Sequence, residues 1–155
     1  MADGMMTKER LSSYNSLRFE VENQLERLAR LKNAEQIPAI QQGDGSKSTG
    51  AAGSRMERAV LKRMEYEERV LPQIEAARAE MRAIEAAVDA VSDPMEREVL
   101  RLRYLDSRYS RPMPWKEVAL KLFGDDDDKH QLATFRLHGR ALQCLQNRGD
   151  EANGK

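Results

Sequence analysis

Between Lys8 and about Ile37 apolar side chains recur at heptad spacing, with Tyr14, Val21 and Leu28 at one position of the repeat and Leu17 and Leu31 at the other. Gln24 interrupts the second series, while Leu11 and Leu25 flank it, so the stripe is broad enough to bury against a partner helix. The residue before a proline is pushed out of helical space, which predicts a stop near Ile37-Pro38. The start is open: Thr7 followed by Arg10 lacks the acid of a capping box, and Ser12 or Ser13 offers an inner cap. A second helical pattern runs from Arg55 to about Val91, with Val60, Ile74, Met81 and Val88 on one heptad position and Val70, Ala77, Ile84 and Val91 on the other. Glu67 occupies a seam position, and Pro72 predicts a kink or break near Leu71-Pro72. Residues 41–54, with four glycines and three serines, read as a flexible linker. Ser46-Lys47-Ser48 is no phosphate loop, because no strand precedes it. Two matching stripes joined by such a linker predict an antiparallel, coiled-coil-like helical hairpin over residues 8–91. Such an arm is structural or oligomeric, and it could lengthen into a dimer coiled coil.

Ser92-Asp93-Pro94 restarts the chain, with Asp93 as N-cap and Pro94 at the first helical position. The helix from Pro94 to about Leu105 should bury Val99, Leu100 and Leu102 or Tyr104, and Asp106 to Pro114 reads as a turn region. Trp115 to Phe123 follows as a short helix with Trp115, Val118, Ala119 and Leu122 on one face, closed by Gly124. Asp128 with Gln131 resembles a capping box for a last helix, Lys129 to about Gln146, with Leu132, Phe135, Leu142 and Leu145 inward. The expected class is therefore all-α, with the hairpin arm at 8–91, a compact helical domain at 92–147 and a disordered tail at 148–155. A short helix with a small residue at its middle, a glycine turn and a longer basic helix make a helix-turn-helix pattern. Helical units of this size serve both DNA binding and plain packing.

Composition narrows the class further. The 155 residues are 34% charged, 40% hydrophobic and only 5% aromatic, with a mean hydropathy of −0.74. Sandwiches, barrels and parallel-sheet enzymes need more β-branched and aromatic residues than this. No apolar run approaches the roughly 20 residues of a membrane span, and the first residues show no apolar leader, so a cytoplasmic protein is expected. Cys144, the single cysteine, can form no internal disulfide and has no zinc-ligand neighbours, which leaves a buried reduced thiol.

The 26 Lys+Arg and 26 Asp+Glu cancel in sum but not in place. Residues 57–98 hold eleven acids and seven bases, whereas 129–148 hold four bases, Lys129, Arg136, Arg140 and Arg148, and no acid. A locally basic C-terminal third is the electrostatic footprint of nucleic-acid binding, although solvated helix faces are often basic too. Asp125 to Asp128 form one acidic knot within it. Adjacent aspartates without spaced oxygen ligands fit a solvated turn rather than a metal site. No Ser/His/Asp or paired-carboxylate arrangement appears, and His130 and His138 share one helix, so neither catalysis nor a cofactor is expected.

The residues from Asp93 to Leu105, with Glu96-Arg97, Val99-Leu100 and Leu102-Arg103-Tyr104, then Trp115-Lys-Glu-Val-Ala-Leu-Lys-Leu122, then Thr134-Phe-Arg-Leu-His-Gly-Arg-Ala-Leu142, resemble region 4 of sigma-70-type factors. More narrowly they resemble the small phage regulators of late transcription of the ArpU and RinA type, in which a helical hairpin precedes this pattern. The resemblance implies a DNA-binding transcription regulator of phage or prophage genes, acting in the cytoplasm of a bacterial host, with the last helix in the major groove. It places Trp115 and Lys116 at the opening of the positioning helix and His130, Gln131, Ala133, Thr134 and Arg136 near the DNA. Lys129 and Arg140 then meet phosphate. Double-stranded DNA, host RNA polymerase and a second copy joined through the arm are the implied partners. A DNA-packaging protein of small-terminase type, or a helical assembly or adaptor protein, is the competing reading. One departure from the family is the run of four aspartates between Gly124 and Thr134. Carboxylates facing phosphates repel, so this turn must point away from DNA, be neutralised, or mark a different task.

Overall fold

A computed structural model describes the backbone of residues 4–36 and 49–153 and the side chains of 4–35 and 54–149; every element in it is helical. Helix α1, Lys8–Ser12, takes the outer of the two starts, because the Thr7 hydroxyl accepts the Arg10 N–H at 3.2 Å. At Ser13 the hydroxyl donates to the Arg10 carbonyl at 2.7 Å, and the chain restarts as α2, Tyr14–Gln36. A serine that bonds its local backbone offers an alternative to the helical ladder, which accounts for the break. The expected stop at Ile37-Pro38 and residues 41–48 of the expected linker lie outside the described residues. Thr49 to Ser54 depart from the linker reading, since they form the first turns of α3, Thr49–Asp89. Extending a helix that already exists gains one hydrogen bond per residue fixed, and two glycines lower that gain without abolishing it. Of the kink or break expected at Pro72, the break does not occur: α3 runs through the proline, which lies on an exposed side.

The chain divides into two compact units, one formed by residues 20–77 and the other by the segments up to Phe19 and from Arg78 onward. In the first, Val21, Val70 and Ile74 form the core, with Leu25, Tyr66 and Ala77 against it. Contacts descend α3 as they ascend α2: Gln24 bonds Gln73 at 2.9 Å, Lys32 reaches Glu67 at 3.8 Å, and Arg63 pairs with Glu35 at 2.7 Å. The two polar interruptions of the heptad pattern are thereby explained, because Gln24 has an amide partner and Glu67 a pair of cations, Arg63 and Lys32.

In the second unit Leu11, Tyr14, Ile84, Val88 and Val91 share one core with Leu100, Tyr104, Leu105, Ala141 and Leu145. The fully buried Asn15 donates to the Tyr104 carbonyl at 2.7 Å, and Arg18 donates to that of Ser107 at 2.7 Å. Helix α4, Pro94–Leu100, begins as expected with the Asp93 carboxylate accepting the N–H groups of Met95 and Glu96. It continues as a π-helical turn, Arg101–Leu105, closed by Asp106 N–H on the Arg101 carbonyl at 2.8 Å. Val99, Leu100, Leu102, Tyr104 and Leu105 are all buried, while Arg101 and Arg103 of the same segment keep part of their surface exposed.

Helix α5, Trp115–Phe123, presents Val118 and Ala119 to the interior, where Val118 joins Leu102 and Met113 in a small cluster covered by Trp115 and Leu122. Gly124 closes α5 at φ +79°, the left-handed conformation in which only glycine is free of strain. Helix α6, Asp128–Asn153, packs on α4 and α5. Its cap is Asp127 rather than the expected Asp128, because the Asp127 carboxylate accepts the His130 N–H at 2.9 Å. The helix also passes the expected end near Gln146 and takes in residues assigned to the tail; Gly149, where a glycine might have stopped it, is covered by the side chain of Met5.

Candidate nucleic-acid interface

Which face of α6 is free follows from what the other face is bound to. Thr134, His138, Ala141 and Leu145 are buried, a spacing of four, three and four that marks one helical face. His138 anchors it, with Nε2 2.7 Å from the hydroxyl of the fully buried Tyr104. Burial, with the positive charges of Arg103 and Lys8, pushes the His138 pKa down to about 4, while burial raises that of Tyr104. The imidazole is therefore neutral near pH 7, and it shares one hydrogen bond with the phenol. The Trp115 ring stands edge-on to His138 at 4.7 Å and to Phe135 at 5.0 Å, with the Arg103 guanidinium 4.2 Å over its other side. A cation on an indole face is favourable, and this stack fixes the start of α5 against the middle of α6.

With that face inward, the opposite one is Lys129, Leu132, Arg136, Gly139, Arg140 and Gln143, all exposed. Leu132 and Phe135 were expected inside and are 49% and 43% exposed. The expectation read both as core from their character; the period set by Ala141 and Leu145 points back to His138 and Thr134, and that signal was present in the sequence. No family model, curated protein or solved structure matches this chain.

The nine residues singled out in the sequence fall into distinct environments. Lys116, Lys129, Arg136 and Arg140 are exposed and make no ion pair among the described residues. Ala133 is half-buried beside them. Trp115 is engaged in the aromatic stack. Thr134 is fully buried and its hydroxyl donates to the His130 carbonyl at 2.8 Å, so this side chain faces the core and not the free face. His130 and Gln131 serve the turn: His130 Nδ1 lies 2.6 Å from the Asp127 carboxylate, and Gln131 Nε2 donates to the Asp126 carbonyl at 2.7 Å. The Asp127 pKa is lowered chiefly by the His130 backbone N–H and then by its ring.

Residues the sequence reading passed over complete the free face. These are Gly139 and Gln143, which line a shallow depression together with the expected Arg136 and Arg140 and with Arg148. A Cβ placed on Gly139 would meet nothing within 4 Å, so a partner can approach the helix closely there. The ligand atoms of Asp125, Asp127 and His130 lie within 4.8 Å of one another, a geometry already accounted for by the cap that Asp127 forms. Among the described residues no helix is long and apolar enough to cross a membrane. Chemically, the free face of α6 offers cations interleaved with apolar groups along a helix, and between Lys129 and Arg148 that helix carries no carboxylate.

Proposed function

We propose that this chain is a non-catalytic, sequence-specific DNA-binding regulator of phage or prophage transcription. In this reading α5, the Gly124 turn and α6 act as a helix-turn-helix of the sigma-70 region 4 type, with α6 in the major groove. The observation that carries it is the free face of α6, where Lys129, Arg136 and Arg140 make no ion pair among the described residues while the opposite face is locked into the core. An α-helix fits the major groove, and arginines and lysines along its flank neutralise phosphates. Thr134 drops out of the contact set because it is buried, and Arg136 and Arg140 become its centre. The hairpin arm then serves to join a second copy or to touch host RNA polymerase.

Selection of bound fragments from the source genome, followed by fluorescence anisotropy on the winner and on scrambled DNA at two salt concentrations, tests this directly. The reading expects one enriched site, preferred over scrambled duplex, with affinity falling steeply with salt. Arg136→Gln and Arg140→Gln should each flatten the logarithmic salt dependence by about one unit. Absence of binding, or binding indifferent to salt, would sink it.

A second reading, a DNA-packaging or helical assembly protein, draws on the unit formed by residues 20–77. Met56, Leu61, Met64 and Leu71 lie exposed there along α3. It expects a ring or larger oligomer by light scattering together with equal, salt-sensitive binding to the selected and scrambled duplexes.

A further inference from the structure

The free face of α6 is not simply cationic. Leu132 and Phe135 are large, apolar and about half exposed, and Leu132 belongs to none of the core clusters. Lys129 stands three residues before Leu132, Arg136 directly follows Phe135, and Arg140 lies one turn beyond; none of the three makes an ion pair among the described residues. A surface that only neutralised phosphates would have no use for the exposed leucine, nor for the free edge of Phe135 beyond its contact with Trp115. One built for a protein partner would place its cations opposite carboxylates and gather more apolar area than two side chains give. Cations flanking two isolated apolar groups match a polyanion whose inner surface is apolar at discrete points. The major groove of duplex DNA has that character, because thymine presents a C5-methyl group there beside base edges that are otherwise polar.

We infer that Leu132 and Phe135 read thymine methyl groups, with Arg136 and Arg140 holding the adjoining phosphates, so that the preferred site carries A·T pairs at neighbouring steps. The spacing allows it: residues three apart on a helix stand about 5–6 Å apart at Cβ, within reach of bases one or two steps apart at ~3.4 Å per step. The inference rests on the DNA-binding reading above and specifies which bases that reading selects.

The test uses the full chain and the best duplex from genomic selection, resynthesised with deoxyuridine in place of single thymidines, a change that removes only the methyl group. At one or two positions affinity should fall about fourfold, the equivalent of one buried methyl. Leu132→Ala should bind the thymidine and deoxyuridine duplexes equally at the position Leu132 reads, and it tests the idea without touching the Trp115 stack in which Phe135 takes part. Sequence-selective binding indifferent to every deoxyuridine substitution would overturn the methyl readout and leave the regulator standing. Failure to bind any duplex would overturn both. Were Leu132→Ser to leave DNA affinity unchanged and convert a dimer to a monomer, the patch would be a protein interface and the inference wrong.

Discussion

Lowering the pH from 7.5 to 5 should remove about 2 kcal/mol of folding stability through His138 alone. In the unfolded chain an imidazole titrates near 6.5, and in the folded protein that of His138 is pushed down to about 4 by burial and by the charges of Arg103 and Lys8. The unfolded state takes up the proton first, so the stabilisation is complete above pH 6.5, declines as pH falls between 6.5 and 4, and is gone below. The full interval, at about 1.36 kcal/mol per pKa unit, corresponds to about 3 kcal/mol. That is a large share of the roughly 5–15 kcal/mol that holds a small domain together. Urea unfolding followed by tryptophan fluorescence suits the measurement, since Trp115 is the only tryptophan and its ring lies 4.7 Å from His138. His138→Gln is the control, because glutamine can still bond the Tyr104 hydroxyl but cannot titrate. Carboxylates such as Glu80, whose pKa the Arg10 guanidinium lowers, act mainly below this range and are common to both proteins. If wild type and His138→Gln lose the same stability between pH 7.5 and 5, the imidazole is not held neutral in the fold and the reasoning fails.

Three further outcomes follow from single contacts. Gly124→Ala should cost about 1–2 kcal/mol by chemical denaturation through backbone strain alone, because the residue sits at φ +79° with open space around the added Cβ; a neutral effect would mean the turn relaxes freely. Asn15→Ala leaves the Tyr104 carbonyl without its buried donor and should cost about 1–3 kcal/mol, whereas an unchanged denaturation midpoint would show that water replaces the amide. Asp126→Asn and Asp128→Asn remove exposed carboxylates beside the proposed phosphate path, so both should raise DNA affinity in anisotropy, most at low salt; weaker binding would place the turn against the bases instead.

The sequence by itself determined that the chain is helical, where the helices at Pro94 and Trp115 begin and where α5 ends, and which residues fill most of the core. Local rules govern those features: Asp93 caps the helix opened by Pro94, Gly124 ends α5, and the heptad stripes name Val21, Val70, Ile74, Ile84, Val88 and Val91 as buried. Only the tertiary structure decided the rest. The two ends of the arm, through Leu11, Tyr14, Ile84 and Val88, enter the same core as Tyr104 and Leu145, a grouping that no local period specifies. The π-helical turn at Arg101–Leu105 carries Leu102, Tyr104 and Leu105 into buried positions, and Pro72 is accommodated because its side of α3 is exposed. On α6 the buried face is the one that carries Ala141 and Leu145 into the core and sets His138 against the Tyr104 hydroxyl, while Thr134 on the same face is satisfied within its own helix by the His130 carbonyl. Hydrophobic patterning assigns Leu132 and Phe135 to the interior. The period of Ala141 and Leu145 pointed the other way in the same sequence, and packing decided between the two faces: Ala141 and Leu145 fill the core around Tyr104, whose hydroxyl satisfies the imidazole that this rotation buries, so Leu132 and Phe135 turn outward.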